Sequence, residues 1–349
     1  MRTLAKKMMK AVMLEEFHKE MVITELPIPA PKKNEVLVKI MSSGLCATDL
    51  HIQEGIIPTI KVPYIPGHEG AGIVEEVGLE VTDVHVGQHV VIGVDILCGK
   101  CRYCLIGRGN LCLSRVRIGF ERNGTHAQYC VVPQEVLFPI DKSVPFDQAC
   151  VIPDAVVCMY HAIRNQGKVT PGQKICLLGI GGLGFQGIQI AKYFGAEIIS
   201  ISRQDKKLEI ARELGSHHTV NTAKNDLFES VNRITDGELC DVVFDIIGSD
   251  TSVEECVKIC KPGGKIILMS YSVPSFTAPF QDIVIKEKEL IGIRGSTRQD
   301  IVEAVKLVQK GIVKPLIYQS FPLKEVNRAL QQLAQGGSLS RTVINPWQE

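Results

Sequence analysis

Four cysteines, Cys98, Cys101, Cys104 and Cys112, follow the spacing C-x2-C-x2-C-x7-C. No other feature restricts the folding of this chain so tightly. Such short loops force four sulfurs toward one point, and four thiolates fill the tetrahedral shell of Zn²⁺. A shell closed in this way has no position left for water or substrate, so it predicts a structural cross-link and no chemistry of its own. The alternative is two disulfides. It is disfavoured because the first three cysteines are too tightly spaced for easy pairing among themselves.

The chain has 12 cysteines in 349 residues. Cys130, Cys150, Cys158, Cys176, Cys240, Cys256 and Cys260 lie mostly within apolar stretches and show no framework spacing. They read as buried free thiols in a reducing compartment. Lys6, Lys7 and Lys10 are followed by no long apolar core, so no secretory signal is expected. The most apolar stretch, residues 175–191, is broken by five glycines and two glutamines, which argues against a membrane span. The net charge is +1, without a basic run, so nucleic acid is not expected as the main partner. The reading is a cytoplasmic protein of two domains.

Two patterns divide the chain. From residue 9 to about 160 short strands alternate with Gly and Pro, with strands over 35–40, 70–78 and 87–92. Residues 35–40 alternate as a half-buried strand should. This predicts an antiparallel, barrel-like domain, preceded by a loose extension over residues 1–8. From about 170 strands and helices alternate: strands at 174–178, 197–202, 241–247, 265–270 and 290–295, helices at 183–194 and 206–214. That alternation predicts a doubly wound parallel sheet of the Rossmann kind. The expected division is a first domain of residues 1–165, a second of 166–299, and a tail, 300–349, that rejoins the first and carries one helix.

Gly179, Ile180, Gly181, Gly182, Leu183 and Gly184 fit G-x-G-x-x-G between an apolar strand and an amphipathic helix, the context a dinucleotide loop requires. Gly179 permits the turn, Gly181 the approach of a pyrophosphate, and Gly184 close helix–strand packing. The helix N-terminus offers N–H donors to the phosphates. The next strand ends Ile201-Ser202-Arg203, where an acidic side chain would bind a ribose 2′-hydroxyl. A hydroxyl and a guanidinium suit a 2′-phosphate, with Lys207 adding charge. NADP(H) is therefore the expected cofactor and NAD(H) the alternative, in which Arg203 caps the strand and stacks on adenine.

Three further segments hold ligand-type residues: Cys46-Ala47-Thr48-Asp49-Leu50-His51, Gly67-His68-Glu69 and Pro153-Asp154. Together with the cysteine lobe, the glycine loop and Ser340-Arg341, they resemble the zinc-containing medium-chain alcohol dehydrogenases over essentially the whole chain from Lys10. The resemblance implies two zinc ions per chain, one structural and one catalytic, and an enzyme that interconverts an alcohol and its carbonyl compound. It implies Cys46, His68 and Asp154 as catalytic ligands, with Glu69 a fourth that exchanges with water or substrate. Many members carry Cys where Asp154 stands, and the resemblance here is to bacterial and archaeal secondary-alcohol dehydrogenases that also use Asp. Cys150 and Cys158 lie four residues to either side, and Cys158 would share the face of Asp154 on a helix. Asp154 is preferred because a carboxylate leaves zinc more Lewis-acidic than a second thiolate would.

On the same resemblance, Thr48 hydrogen-bonds the substrate oxygen and His51 passes its proton to water. Asp49 orients His68, and Arg341 faces the cofactor pyrophosphate. His85, His89, His126, His161, His217 and His218 match no motif and read as surface or turn residues. Residues 52–66, Phe120 and 271–297 are expected to shape the pocket for a small alcohol or carbonyl substrate. The resemblance implies a homotetramer or homodimer. An NAD-linked polyol or hydroxyacyl-type dehydrogenase, and a zinc-stabilised binding protein without catalysis, are the rival readings.

Overall fold

The computed structural model describes residues 7–270 and 275–349. Most of the expected N-terminal extension (1–6) and the first part of the pocket stretch (271–274) lie outside the described residues. The chain divides into two compact units. One comprises Met1–Asp154, Thr297–Gln309 and Pro315–Glu349, the other Ala155–Ser296 and Lys310–Lys314.

The first unit is built on a seven-stranded sheet. Its spatial order is Ile317–Pro322, Arg341–Asn345, Glu35–Leu45, Glu69–Val77, His89–Ile92 and Leu137–Pro139, with Tyr129–Pro133 also paired to Glu35–Leu45. All pairings are antiparallel except that between Ile317–Pro322 and Arg341–Asn345. Val36, Val38, Ile40, Val74, Val90 and Val132 form one core of this unit. Residues 35–40 do not alternate as expected, because Glu35 and Leu37 are buried too. The strand is paired along both edges, and Glu35 is neutralised by Arg122 at 2.8 Å. A hairpin of Met8–Met13 and Val22–Pro27, not anticipated from the sequence, forms a separate two-stranded sheet.

The tail carries two helices where one was expected, Arg298–Gln309 and Val326–Ala334. Phe321, Val326, Leu330 and Ile344 pack into a second core with Val12, Leu45 and Ile52. Burial of these tail residues is what ties the end of the chain to the first unit.

The second unit holds a six-stranded parallel sheet in the order His218–Asn221, Glu197–Ser202, Lys174–Leu178, Cys240–Asp245, Cys260–Leu268 and Glu289–Gly292. Numbered along the chain, this is the order 3-2-1-4-5-6 of a doubly wound dinucleotide fold. Its inner strands carry buried apolar runs such as residues 175–178, while the edge strands His218–Asn221 and Glu289–Gly292 are only partly buried. Leu178, Ile199, Ile201, Val243 and Ile266 make the core. Helix Asp205–Leu214 ends on Gly215 at φ 108, a left-handed cap that favours glycine. Among the described residues no helix is long and apolar enough to cross a membrane.

Candidate active site

The four lobe cysteines come together as their spacing requires. Their sulfurs all lie within 4.8 Å of one another. Cys101 and Cys104 are 3.6 Å apart, and Cys98 and Cys104 3.9 Å. A tetrahedral shell with Zn–S near 2.3 Å needs sulfurs about 3.8 Å apart, the spacing that Cys104 keeps to both Cys98 and Cys101. Gly99 and Gly107, at φ 71 and 76, make the left-handed turns that fold the loop back. The backbone N–H groups of Cys104 and Leu113 pull the Cys101 thiol down to about 6, toward the thiolate that a metal requires.

A second cluster is assembled from distant segments. Cys46 follows strand Glu35–Leu45 and caps helix Ala47–Gln53, while His68 precedes and Glu69 begins the neighbouring strand Glu69–Val77. The register sets Gly44 opposite Glu69. A Cβ at Gly44 would stand 1.9 Å from Glu69 Oε2, so glycine is what lets the carboxylate turn inward. Asp154 comes from a π-helical turn, Ile152–Val156. Ligand atoms of Cys46, His68, Glu69 and Asp154 all lie within 4.8 Å of one another. Burial, with Asp154 and Cys46 nearby, holds the Glu69 carboxyl well above its ordinary value, and this crowding of acidic groups is what a divalent cation relieves. Thiolate, imidazole and carboxylate donors together suit Zn²⁺.

Asp49 stands behind this cluster. It is fully buried, its Oδ1 lies 3.6 Å from His68 Nδ1, and its Oδ2 accepts the Cys46 backbone N–H at 2.8 Å. Burial alone would raise the Asp49 carboxyl, but His68 and His126 hold it below its ordinary value. Burial likewise opposes ionisation of Cys46, and the Arg341 guanidinium overrides it, holding the thiol low. Thr48 Oγ1 is 3.6 Å from Cys46 Sγ. His51 is half-buried on the same short helix, and burial lowers its pKa.

In the second unit the glycine loop has the strand-to-helix geometry its sequence implies. Gly179 takes φ 95, and a Cβ at Gly184 would meet the Gly179 carbonyl at 2.8 Å. Gly181 is open except for Lys207, whose Nζ would lie 3.8 Å from an added Cβ. The lysine is partly buried, and burial lowers its pKa. Arg203 is exposed, and Ser202 Oγ accepts the Gln204 N–H. Asp205, the nearest carboxylate, is committed to Asn221 and Lys224, each at 2.7 Å.

Residues 32–142 match the alcohol dehydrogenase GroES-like domain, and residues 182–310 match the zinc-binding dehydrogenase domain. The chain belongs to the zinc-containing medium-chain alcohol dehydrogenase family. It is 34% identical over 340 residues to an alcohol dehydrogenase of Geobacillus stearothermophilus, covering 96% of this chain and 99% of that one. It is 30% identical over 348 residues to an NAD-dependent alcohol dehydrogenase of Sulfurisphaera tokodaii, covering 97% and 100%. A chain from Sinorhizobium meliloti solved bound to NADP superposes with a TM-score of 0.91 at 28% identity, covering 98% and 100%.

In this dehydrogenase the expectation for the histidines needs correction, Cys150 takes other partners, and Arg341 is buried against the open centre. It is 5% exposed, and its Nη2 lies 2.7 Å from both Glu69 Oε1 and Asp154 Oδ2. The buried carboxyl of Glu69 and the partly buried carboxylate of Asp154 hold this cation out of solvent. Cys150 is no rival to Asp154, because its thiol donates to Ser42 Oγ and the Asp147 carbonyl. Asp154, and not Cys158, is the residue of this segment whose ligand atom joins those of Cys46, His68 and Glu69. Finally, the histidines without a motif are not all surface residues. His85 and His217 are exposed, but His161 is 2% exposed and His126 fully buried. Sequence reasoning also passed over Ser43 and Thr125, whose hydroxyls meet the Glu69 carbonyl. The one hint was a polar Thr-His pair leading into a buried strand.

Proposed function

We propose that this chain is a zinc-dependent oxidoreductase that interconverts an alcohol and its aldehyde or ketone by hydride transfer with NADP(H). The observation that carries the reading is the convergence of Cys46, His68, Glu69 and Asp154 within 4.8 Å, apart from a complete four-thiolate cluster. Cys46, His68 and Asp154 would hold the catalytic metal, Glu69 would exchange with substrate, and the lobe would hold the second zinc. Bound there, zinc supplies the Lewis acidity that polarises a carbonyl or acidifies an alcohol, and the nicotinamide carries the hydride. Thr48 hydrogen-bonds the substrate hydroxyl and His51 accepts its proton for release to water. Burial favours the neutral imidazole that this step needs. Asp49 fixes the ring of His68.

Cofactor preference rests on charge. No free carboxylate stands at the end of strand Glu197–Ser202, since Asp205 is held by Asn221 and Lys224. Arg203 is exposed there, and Lys207 lies over the glycine loop. This supports a 2′-phosphate. A charge-assisted hydrogen bond contributes about 1.5–3 kcal/mol, or roughly one to two orders of magnitude in affinity. Arg203→Ala should weaken NADP(H) by that factor and leave NAD(H) nearly unchanged, and Ser202→Asp should reverse the preference. The check is kcat/KM for both cofactors across a panel of primary, secondary, cyclic and polyol alcohols. The name of the Sulfurisphaera relative favours a second reading, an NAD-linked dehydrogenase on the same scaffold. Wild-type preference for NAD(H), with Arg203→Ala neutral toward both, would select it. No cofactor turnover with any alcohol would return the chain to a non-catalytic, zinc-stabilised binding protein.

A further inference from the structure

A buried polar chain runs behind the proposed catalytic centre, and its far member is His126. Its side chain is fully buried. Its Nδ1 lies 2.8 Å from Ser43 Oγ, which in turn meets Thr125 Oγ1 at 2.7 Å and the Glu69 carbonyl at 3.1 Å. On the other side of the ring, Nε2 lies 3.8 Å from Asp49 Oδ1. That same oxygen is 3.6 Å from His68 Nδ1. Asp49 Oδ1, His68 Nδ1 and His126 Nε2 are all buried with no hydrogen-bond partner at ordinary distance. Three such atoms facing one another stand about half an ångström beyond ordinary hydrogen-bond length, so a small approach joins them in one shared set and removes the cost of leaving them unpaired.

The backbone is shaped to admit this histidine. A Cβ at Gly67 would stand 2.7 Å from both the backbone N and Nδ1 of His126. At Gly70 a Cβ would stand 2.4 Å from Thr125 Cγ2. The glycines on either side of His68 and Glu69 therefore let Thr125 and His126 press directly onto the ligand segment. Tautomer logic then fixes the roles. An Nε2 lone pair against the Asp49 carboxylate would set acceptor against acceptor in a dry site. The proton therefore sits on Nε2, facing Asp49, Nδ1 accepts the single proton of the Ser43 hydroxyl, and the Thr125 hydroxyl serves the Glu69 carbonyl.

We infer that His126 is a positioning residue of the metal centre: its Nε2–H faces the same Asp49 Oδ1 that His68 faces, and this second donor keeps the Asp49 side chain in the orientation that fixes His68. The inference rests on the proposed role of Cys46, His68 and Asp154 as zinc ligands. Without its second donor, Asp49 is a buried charge left short of partners, and its grip on His68 loosens. Groups behind a metal ligand typically change metal affinity about 10–100-fold.

The test measures zinc affinity of the labile centre by chelator competition in wild type, His126→Phe, His126→Gln and His126→Asn. Thermal midpoint and the split between kcat and KM are recorded alongside. A Gln amide can place its N–H where Nε2–H stands, whereas Asn reaches only the Nδ1 position. The expected result is a 10–100-fold loss in His126→Phe and His126→Asn, recovery in His126→Gln, and unchanged retention of the zinc held by the lobe. Wild-type affinity in His126→Phe would overturn the inference. If that variant does not fold, the Gln and Asn pair decides, and equal affinities in the two overturn it. A wild-type protein that holds zinc only in the lobe would overturn the reading of the open centre itself, and this inference with it.

Discussion

The two cysteine-bearing centres of the first unit are built in opposite ways. The lobe takes all its donors from one short segment, Cys98 to Cys112, with glycine turns at Gly99 and Gly107 and backbone N–H groups aimed at sulfur. Every position of its shell is a protein thiol. The other centre draws Cys46, His68, Glu69 and Asp154 from segments spread along most of the unit. It exists only when strand Glu35–Leu45 pairs in register with Glu69–Val77, because Gly44 must stand opposite Glu69. A slip of one residue would turn the ligands to the other face of the sheet. Its carboxylates also carry an arginine, Arg341. The contrast teaches that local spacing makes a centre robust and inert. Long-range assembly, with charge left to balance, makes one that can do chemistry.

The contrast predicts opposite failures. Cys46→Ser should leave the fold intact and remove zinc from the open centre. Loss of Lewis acidity amounts to several kcal/mol of barrier, so kcat/KM should fall by about three orders of magnitude with the thermal midpoint near wild type. Metal analysis should then give one zinc per chain against two in wild type, and a chelator should strip wild type in the same order, with activity lost in step. Full activity in protein containing one zinc would break the distinction.

Cys104→Ser should fail the other way. Metal binding at a closed site is folding energy, about 10–16 kcal/mol for an isolated four-ligand zinc site. Losing one thiolate should forfeit roughly 3 kcal/mol of it, lowering the midpoint by about 6–12 °C at ~2–4 °C per kcal/mol. The chemical step of the protein that stays folded should be unchanged. An unchanged midpoint with an abolished chemical step would reverse the assignments of the two centres.

The smallest effect concerns the proton path, which only an open centre needs. Burial lowers the His51 pKa below the ordinary 6.5, so the ring stays neutral and able to accept a proton as pH falls through that value. Wild-type kcat/KM should therefore hold below pH 6.5 and decline only in more acid solution. His51→Gln should slow alcohol oxidation by about tenfold, a modest part of the usual acid–base contribution, and lose that acid limb. A pH profile identical in wild type and His51→Gln would remove His51 from the path.

Much of this molecule is legible in its sequence because the deciding interactions are short-range. The lobe needs only its spacing, and the glycine loop needs Gly179 to turn and Gly184 to let the Gly179 carbonyl approach. The parallel sheet announces itself in continuous apolar strands such as Lys174–Leu178. Tertiary structure decided the rest. It turned Arg341 onto Glu69 and Asp154, because a buried cation pairs with the nearest carboxylates whatever their place in the chain. It set Asp154 in a π-helical turn that no periodicity signals, with its carboxylate among Cys46, His68 and Glu69. It drew the last strands and helices into the first unit by burying Phe321, Leu330 and Ile344. It also brought His126 behind His68, since strand packing admits a histidine only where Gly67 leaves room for it. Spacing along the chain fixes which donors sit next to one another, but partners from different strands are chosen by register and packing, and those exist only in the folded state.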